Sequence, residues 1–168
     1  MISQKNPSKK YLEHLEYYKK MHKDGFSYKS GKILESLQTY NSQMIINYVK
    51  FIKNIIKKNN LNSLLEYGCG KAIFYENEFK VTNENFPPLK NYWGVEIKLF
   101  DPAVKKFSIM PSNKCDITIC IDVLEHIPEE DINWVLEKIM TLSKKFIFLV
   151  IGSYSSQAVL PNGEGAQF

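Results

Sequence analysis

A carboxylate and two closely spaced glycines directly follow an apolar run in this chain. The residues are Glu66, Gly68 and Gly70, and Leu64-Leu65 precede them. A strand that ends here delivers the carboxylate to the edge of a sheet, and the glycines permit a tight turn that brings bare backbone close to a ligand. The pattern predicts a nucleoside-binding loop. An ordinary strand-to-helix turn, which uses the same residue types, is the alternative.

A second group of polar residues ends another apolar run. Residues 115–121 are typical of a buried parallel strand, and Asp122, Glu125 and His126 follow at its tip. Asp122 is a candidate ligand contact, with capping of the loop before Pro128 as the alternative. His126 is a candidate general base, because histidine is the residue type most often used for proton transfer, with packing against the loop as the alternative. The same choice applies to Glu125.

Together these segments resemble the class I S-adenosylmethionine-dependent methyltransferases, in which a D/E-x-G-x-G loop follows the first strand and a DVLEHI-like segment follows the fourth. The resemblance covers residues 61–152. Within that family the chain resembles small methyltransferase-like proteins typical of marine bacteria and their phages. Their YGCGK, YDPAV and LPNGENAH-like segments correspond here to Tyr67–Lys71, Phe100–Val104 and Leu160–Gln167. The resemblance implies an α/β, Rossmann-like fold with a mostly parallel sheet, and S-adenosyl-L-methionine as cofactor.

The resemblance also implies roles for individual residues. The implied cofactor-binding residues are Glu66, Tyr67, Gly68, Cys69, Gly70, Asp101, Asp122 and Val123. Glu66 would hydrogen-bond the cofactor's ammonium group, directly or through water. Asp101 would accept hydrogen bonds from the ribose hydroxyls, with Glu96 as the competing candidate and an Asp-Pro turn as the structural alternative. His126 and Asp122 are the candidates for catalysis.

The chain departs from the family pattern in three places. Residues 102–115 are too few for a helix, a strand and a second helix, which predicts that the third strand is missing or reduced to an extended turn. The sequence ends soon after the last strand, where the family continues, so we expect a truncated or pared-down fold that is incomplete at its C-terminus. Ala72 replaces a customary glycine, which predicts a shift of the following helix.

Hydrophobic periodicity indicates the elements that position these residues. An amphipathic helix is predicted over Lys10–His22 and a second over Leu37–Lys58, with an irregular connection at 26–32. The other predicted elements are strands at Leu61–Tyr67, Tyr92–Phe100, Ile117–Ile121 and Lys145–Ile151, helices at Ala72–Phe79 and Pro128–Ser143, and a surface connection over 81–91.

The order of these elements predicts one α/β domain in two parts. Residues 1–60 would form a helical cover, and residues 61–168 would form the cofactor-binding core. The candidates for a lid over the cofactor are Tyr17, Tyr18, Met21 and His22. Core packing is the alternative for Tyr18, and exposure is the alternative for Tyr17.

Composition and cysteine spacing predict where the protein is located and the state of its thiols. No segment approaches the ~20 apolar residues of a membrane-spanning helix, and the N-terminus lacks the apolar core of a signal peptide, which predicts a cytoplasmic protein with no membrane partner. Cys69, Cys115 and Cys120 show no metal-ligand spacing, so we expect reduced thiols and no metal.

The positive charge lies in the N-terminal segment. Residues 1–60 carry 12 lysines against 4 acidic residues, whereas residues 61–168 carry 10 lysines against 14, and the chain has no arginine. A solvated lysine face is favoured over a nucleic-acid surface, because arginine's bidentate phosphate and guanine contacts are missing.

Three functional hypotheses follow. The first is a methyltransferase acting on a small-molecule acceptor, which works by holding the acceptor in line with the methyl group. The second is a non-catalytic cofactor-binding or interaction module that associates, with copies of itself or with a partner, through an exposed sheet edge after the last strand. The third is a nucleic-acid methyltransferase that uses the lysine-rich N-terminal segment.

Overall fold

The computed structural model describes residues 1–153 and 156–166, which are built around a four-stranded parallel sheet. The helices are α1 (Lys9–Asp24), α2 (Val49–Lys58), α3 (Ile73–Glu76), α4 (Leu89–Trp93) and α5 (Glu129–Leu142). The strands are β1 (Phe26–Tyr28), β2 (Ile33–Leu34), β3 (Ser63–Tyr67), β4 (Phe79–Val81), β5 (Glu84–Phe86), β6 (Glu96–Phe100), β7 (Cys115–Ile121), β8 (Ser143–Val150) and β9 (Ala158–Val159). The predicted α/β class with a parallel sheet is confirmed.

The order of the strands creates a crevice at one edge of this sheet. The order is β6-β3-β7-β8, and each neighbouring pair is parallel. After β3 the chain adds β6 on one side and then crosses to add β7 on the other. In open parallel sheets, ligands bind outside the carboxyl ends of strands where the order reverses in this way. The loops that follow β3, β6 and β7 all meet at that edge.

Helices cover both faces of the sheet because its strands are apolar on both sides. Alternate residues of β3 point in opposite directions, so that Leu64 packs in one hydrophobic cluster and Leu65 in another. The first cluster contains Ile52 of α2 and Trp93 of α4, and the second contains Ile139 of α5. The result is three layers, with the crevice at the end of the middle one.

Two capping contacts fix the position of α1. The Ser8 hydroxyl accepts a hydrogen bond from the Tyr11 amide at 2.9 Å, which caps the first turn. The Ser8 amide donates to the buried carboxylate of Asp131 at 3.1 Å, which ties α1 to the start of α5. At the other end Gly25, with φ of +85°, ends the helix.

The second predicted helix is wrong over its first half. Residues 36–48 form two 3₁₀ turns and irregular backbone, and α2 begins only at Val49. Tyr40 and Ser42 have φ values of +52° and +56°, which no helix can include. The Ser42 hydroxyl donates to the Cys69 carbonyl at 2.6 Å, so this segment is fastened to the glycine loop instead of coiling into a helix.

Several short elements also differ from the predictions. Residues 26–34 form a β-hairpin, which β9 joins as a third strand, and the interval 79–86 is a second hairpin. The helix predicted over Ala72–Phe79 is the single turn α3. The strand predicted to begin at Tyr92 begins at Glu96, because Tyr92 belongs to α4 and Gly94 ends that helix with φ of +66°.

The interval between β6 and β7 agrees with its prediction. It holds one 3₁₀ turn at Lys105–Phe107, and the described chain adds no strand there. In the part of the chain that the structure describes, no helix combines the length and the apolar character needed to cross a bilayer. Of the segment Leu160–Gln167, Gln167 lies outside the described residues.

Candidate functional site

A cleft of about 350 Å³ opens at the carboxyl edge of β3, β6 and β7. This volume falls within the ~300–1,000 Å³ common for small-molecule sites. The cleft's floor is the sheet edge, and α1, the β1-β2 hairpin and residues 38–45 form its other walls. Sequence-predicted residues that line it are Glu66, Tyr67, Gly68, Gly70, Asp101, Asp122, Val123 and His126.

The glycine loop needs both of its glycines. Gly68 has φ of +83° and Gly70 has φ of +55°, conformations that residues with a Cβ rarely adopt. A Cβ on Gly68 would lie 2.3 Å from Cγ2 of Val123, and one on Gly70 would lie 2.5 Å from the Tyr40 carbonyl oxygen. The loop therefore packs closely against two other walls of the cleft.

Cys69 is the predicted cofactor residue that does not line the cleft. Its side chain is fully buried in the core beside α2 and the sheet. Burial raises the pKa of the Cys69 thiol, so the residue stays a neutral apolar side chain. Its contribution to the loop is through backbone, because its amide donates to the Phe100 carbonyl at 3.1 Å.

Asp101 holds the glycine loop in place. One carboxylate oxygen accepts from the Gly70 amide at 2.8 Å and the other from the Ala103 amide at 2.9 Å. Burial raises the pKa of Asp101, and these amides oppose that rise. Each oxygen retains a second lone pair, so the carboxylate can still accept from a ligand hydroxyl. Glu96 lies at the opposite end of β6 and does not line the cleft.

Replacing Asp101 should therefore weaken the fold as well as binding. We expect Asp101→Ala to lower the free energy of unfolding by about 3 kcal/mol, because it leaves two amides without their charged acceptor. Asp101→Asn retains one acceptor and should lose about half as much. Urea unfolding measures both, with Glu96→Ala as control at less than about 0.5 kcal/mol. Equal losses for Asp101→Ala and Glu96→Ala would contradict the anchoring role.

Glu66 is a buried carboxyl group with an unused oxygen. It is 3 % exposed, and its Oε2 has no hydrogen-bond partner among the described residues. Burial raises the pKa of Glu66 to about 8, and the neighbouring Tyr75 hydroxyl opposes only part of that rise. An unsatisfied buried carboxyl costs stability unless a partner compensates it. A cationic group in the cleft would be such a partner.

The loop after β7 contributes Asp122, Val123 and His126. Asp122 has φ of +52°, a strained conformation of the kind found at binding sites, and burial raises the pKa of its half-buried carboxyl. His126 Nδ1 contacts the Ala166 carbonyl oxygen. A carbonyl can only accept, so Nδ1 carries a hydrogen, and in the neutral imidazole the lone pair is on Nε2. Glu125 does not line the cleft, because its Oε1 accepts from the Gly152 amide at 2.6 Å.

The predicted lid residues divide between the cleft and the core. Tyr18 and His22 line the cleft, whereas Met21 is buried in a small cluster with Leu160 and Ala166. Tyr17 does not line the cleft, and its hydroxyl donates to Glu13 at 2.8 Å. Two of the four predicted lid residues therefore line the cleft, and the sequence could not separate lining residues from packing residues.

Sequence reasoning missed the segment that lies over the glycine loop. Tyr40, Asn41 and Ser42 line the cleft, although they were assigned to a helix. The Lys71 amide donates to the Tyr40 carbonyl at 2.9 Å, which holds the segment down. The available signal was the polar run Thr39-Tyr40-Asn41-Ser42, whose residue types favour turns over helix interiors.

No protein-family model, curated protein or solved structure matched this chain in the comparisons made. Within residues 1–153 and 156–166, no three His, Cys, Asp or Glu side chains come together as metal ligands.

Proposed function

We propose that this protein is an S-adenosylmethionine-dependent methyltransferase of the class I type that methylates a small molecule. The observation that carries the proposal is the buried Glu66 carboxyl group, which lines the cleft beside the glycine loop at the switch point of the sheet and whose Oε2 has no hydrogen-bond partner among the described residues. S-adenosylmethionine carries an ammonium group and a nucleoside, which match an unsatisfied acid and a glycine loop at this edge.

The lining residues fit this cofactor. Glu66 would accept from the ammonium group, and Asp101, on the neighbouring strand, would accept from the ribose hydroxyls through its remaining lone pairs. The glycine loop would face the methionine part through backbone. The strand order β6-β3-β7-β8 supports the assignment, because the order reverses beside β3, and nucleotide-type cofactors bind at such switch points of open parallel sheets.

The chemistry needs positioning more than acid or base strength. When bound, S-adenosylmethionine supplies a methyl group whose C–S bond breaks with its electron pair left on sulfur, as the acceptor's lone pair bonds the carbon. The cleft would hold the acceptor in line and exclude water. His126 Nε2 is the group available to take the proton that the acceptor loses, because Nδ1 is engaged by Ala166.

A thermal-shift titration tests the cofactor assignment. S-adenosylhomocysteine at a hundred times its dissociation constant should raise the melting temperature by about 5–10 °C, because only the native state binds it. Adenosine and methionine alone at the same concentration should give much smaller shifts. A flat response to S-adenosylhomocysteine by the folded protein would count against the proposal.

A second candidate function is a non-catalytic module that associates through β8. Among the described residues β8 is an edge strand of the sheet. Three of its apolar side chains are exposed, Phe146 by 38 %, Ile147 by 40 % and Leu149 by 38 %, and Ile151, directly after the strand, is exposed by 55 %. Parallel sheets are normally covered on both faces and at their edges, so this surface favours association.

Lysine substitution on this edge tests association. If the exposed strand drives self-association, the wild-type chain should sediment as a dimer or larger species, and Ile147→Lys with Leu149→Lys should return it to monomer. Leu37→Lys is the matched control, because Leu37 is 84 % exposed in another part of the molecule. A monomeric wild type at high micromolar concentration would remove self-association as a role for β8.

A further inference from the structure

The half of the cleft beneath α1 has a different character from the sheet edge. Its wall contains the rings of Tyr18, His22, Phe26, Tyr28 and Tyr40, which come from α1, the β1-β2 hairpin and the segment before α2. We name these five residues and Asn41 the aromatic wall. His22 stacks on Tyr40 with ring centroids 4.3 Å apart and planes at 28°. Such a wall suits a planar ligand.

The aromatic wall offers no cationic side chain to an anionic ligand. The chain has 22 lysines, but among the described residues that line the cleft there is no lysine. Three carboxyl groups do line it, those of Glu66, Asp101 and Asp122. Lys71 lies nearby, yet its ammonium group is hydrogen-bonded to Ser36 and Thr39. A phosphate or carboxylate bound against the aromatic wall would lose its water without gaining a cationic partner, so it would bind weakly there.

Two buried polar atoms of the aromatic wall have no hydrogen-bond partner among the described residues. Asn41 Nδ2 donates to the Leu37 carbonyl at 2.8 Å, which assigns Oδ1 as the inward acceptor, and this Oδ1 has no partner among the described residues. His22 Nδ1 is equally buried and unpartnered within the described chain. Burial lowers the pKa of His22 to about 4, so the imidazole is neutral and can accept. A ligand with O–H or N–H groups would satisfy both atoms.

We propose that the aromatic wall binds the methyl acceptor, and that the acceptor is an uncharged aromatic small molecule that donates hydrogen bonds to Asn41 and His22. The identification of this ligand as the methyl acceptor rests on the proposed methyltransferase function. The preference for an uncharged aromatic ligand depends only on the residues of the aromatic wall. It also disfavours nucleic acid, since the phosphates of a polyanion would find no cationic side chain on the wall.

Three ring compounds of one size separate the parts of this proposal. 4-Ethylphenol is neutral and has a donor, 4-ethylanisole is neutral without a donor, and 4-hydroxyphenylacetate is an anion with a donor. Ligand-observed NMR gives their dissociation constants for the protein with and without S-adenosylhomocysteine. We expect 4-ethylphenol to bind at least tenfold more tightly than either of the others. Equal or tighter binding of the anion, or of the anisole, would overturn the proposal.

Variants locate the binding to the aromatic wall. Asn41→Leu and His22→Phe each remove one acceptor while keeping an apolar or stacking side chain. 4-Ethylphenol has one O–H hydrogen, so the variant that removes the acceptor of that hydrogen should weaken 4-ethylphenol binding about tenfold. Asn47→Leu, at an exposed asparagine that does not line the cleft, is the matched control and should change nothing. Unchanged 4-ethylphenol affinity in both wall variants would overturn the proposal, as would displacement of 4-ethylphenol by a single-stranded oligonucleotide.

The result of the S-adenosylhomocysteine titration is independent of the result of the binding series with the three ring compounds. If S-adenosylhomocysteine does not bind, the methyltransferase assignment is lost, whereas the three-compound series on the free protein still supports or overturns the ligand preference of the aromatic wall.

Discussion

Gly68→Ala should lower the free energy of unfolding by about 2–5 kcal/mol and abolish cofactor binding. Two effects add. The residue has φ of +83°, which costs an alanine about 1–2 kcal/mol, and the new methyl group would lie 2.3 Å from Val123 Cγ2, which adds the cost of overpacking, typically 1–3 kcal/mol. Relief of the clash displaces the loop or Val123, and both line the cleft. Chemical denaturation and calorimetric titration measure the two outcomes.

Gly31→Ala separates these effects. Gly31 also has φ of +83°, but a Cβ there would have no atom of the described residues within 4 Å. Its alanine variant should therefore show only the conformational cost and should keep full cofactor affinity. Val123→Ala should recover part of the lost stability in the Gly68→Ala background, because it removes the atoms that clash. Similar losses at Gly68 and Gly31 would mean that the close approach to Val123 has no energetic role.

Glu66→Gln should stabilise the protein increasingly as the pH rises while it weakens cofactor binding. The native pKa of Glu66 is about 8, above its ordinary value of 4.5, so the native state binds the extra proton. The contribution of Glu66 to the wild-type free energy of unfolding is therefore fully present below about pH 4.5 and is lost as the pH rises toward 8. Glutamine does not titrate, so the advantage of the variant should grow by roughly 3 kcal/mol between pH 5 and pH 8.

The same substitution should lower the affinity for S-adenosylmethionine about ten- to a hundredfold, because it replaces a charge-assisted hydrogen bond to the ammonium group. Glu76→Gln is the control: Glu76 is exposed and paired with Lys90, so its variant should show no growing advantage with pH and no loss of affinity. A stability difference at Glu66 that is independent of pH would show that the carboxyl is ionised in the native state. The Glu66 carboxyl would then not lower the stability of the native state at high pH, and the predicted trade-off between stability and cofactor binding at this residue would be wrong.

The central sheet was predictable from sequence because its strands are continuous apolar runs that end in polar residues. Leu64-Leu65 before Glu66, and residues 115–121 before Asp122, are buried for their whole length. The resemblance put Asp101 and Asp122 beside the glycine loop, and they line the same cleft because the carboxyl ends of neighbouring parallel strands share an edge. Helix α5 was equally clear, since Pro128 and three acidic residues mark its start.

The walls over the site were not predictable, because long-range contacts decide their conformation. Ile45 and Ile46 continue the apolar periodicity of α2, and this pattern concealed the irregular backbone at Tyr40 and Ser42. The Ser42 hydroxyl finds its partner at Cys69, 27 positions along the chain, which no local pattern encodes. The three-stranded sheet formed by β1, β2 and β9 likewise joins segments from opposite ends of the sequence.

The side-chain directions of Asp101 and Cys69 show a second limit of sequence reasoning. The motif placed both residues near the ligand, but side-chain direction determines their roles. Asp101 turns toward the loop and accepts from the Gly70 and Ala103 amides, whereas Cys69 turns into the core. Spacing therefore identified the loop as a unit and left the direction of each side chain to packing.

The most direct test of the account is calorimetric titration of the wild-type chain with S-adenosylmethionine and S-adenosylhomocysteine, beside Gly68→Ala and Glu66→Gln. The account predicts saturable one-to-one binding of both ligands by the wild type, loss of binding in Gly68→Ala, and weaker binding in Glu66→Gln. Absence of heat from either ligand with a wild-type protein that unfolds cooperatively would contradict the assignment of this cleft as a cofactor site.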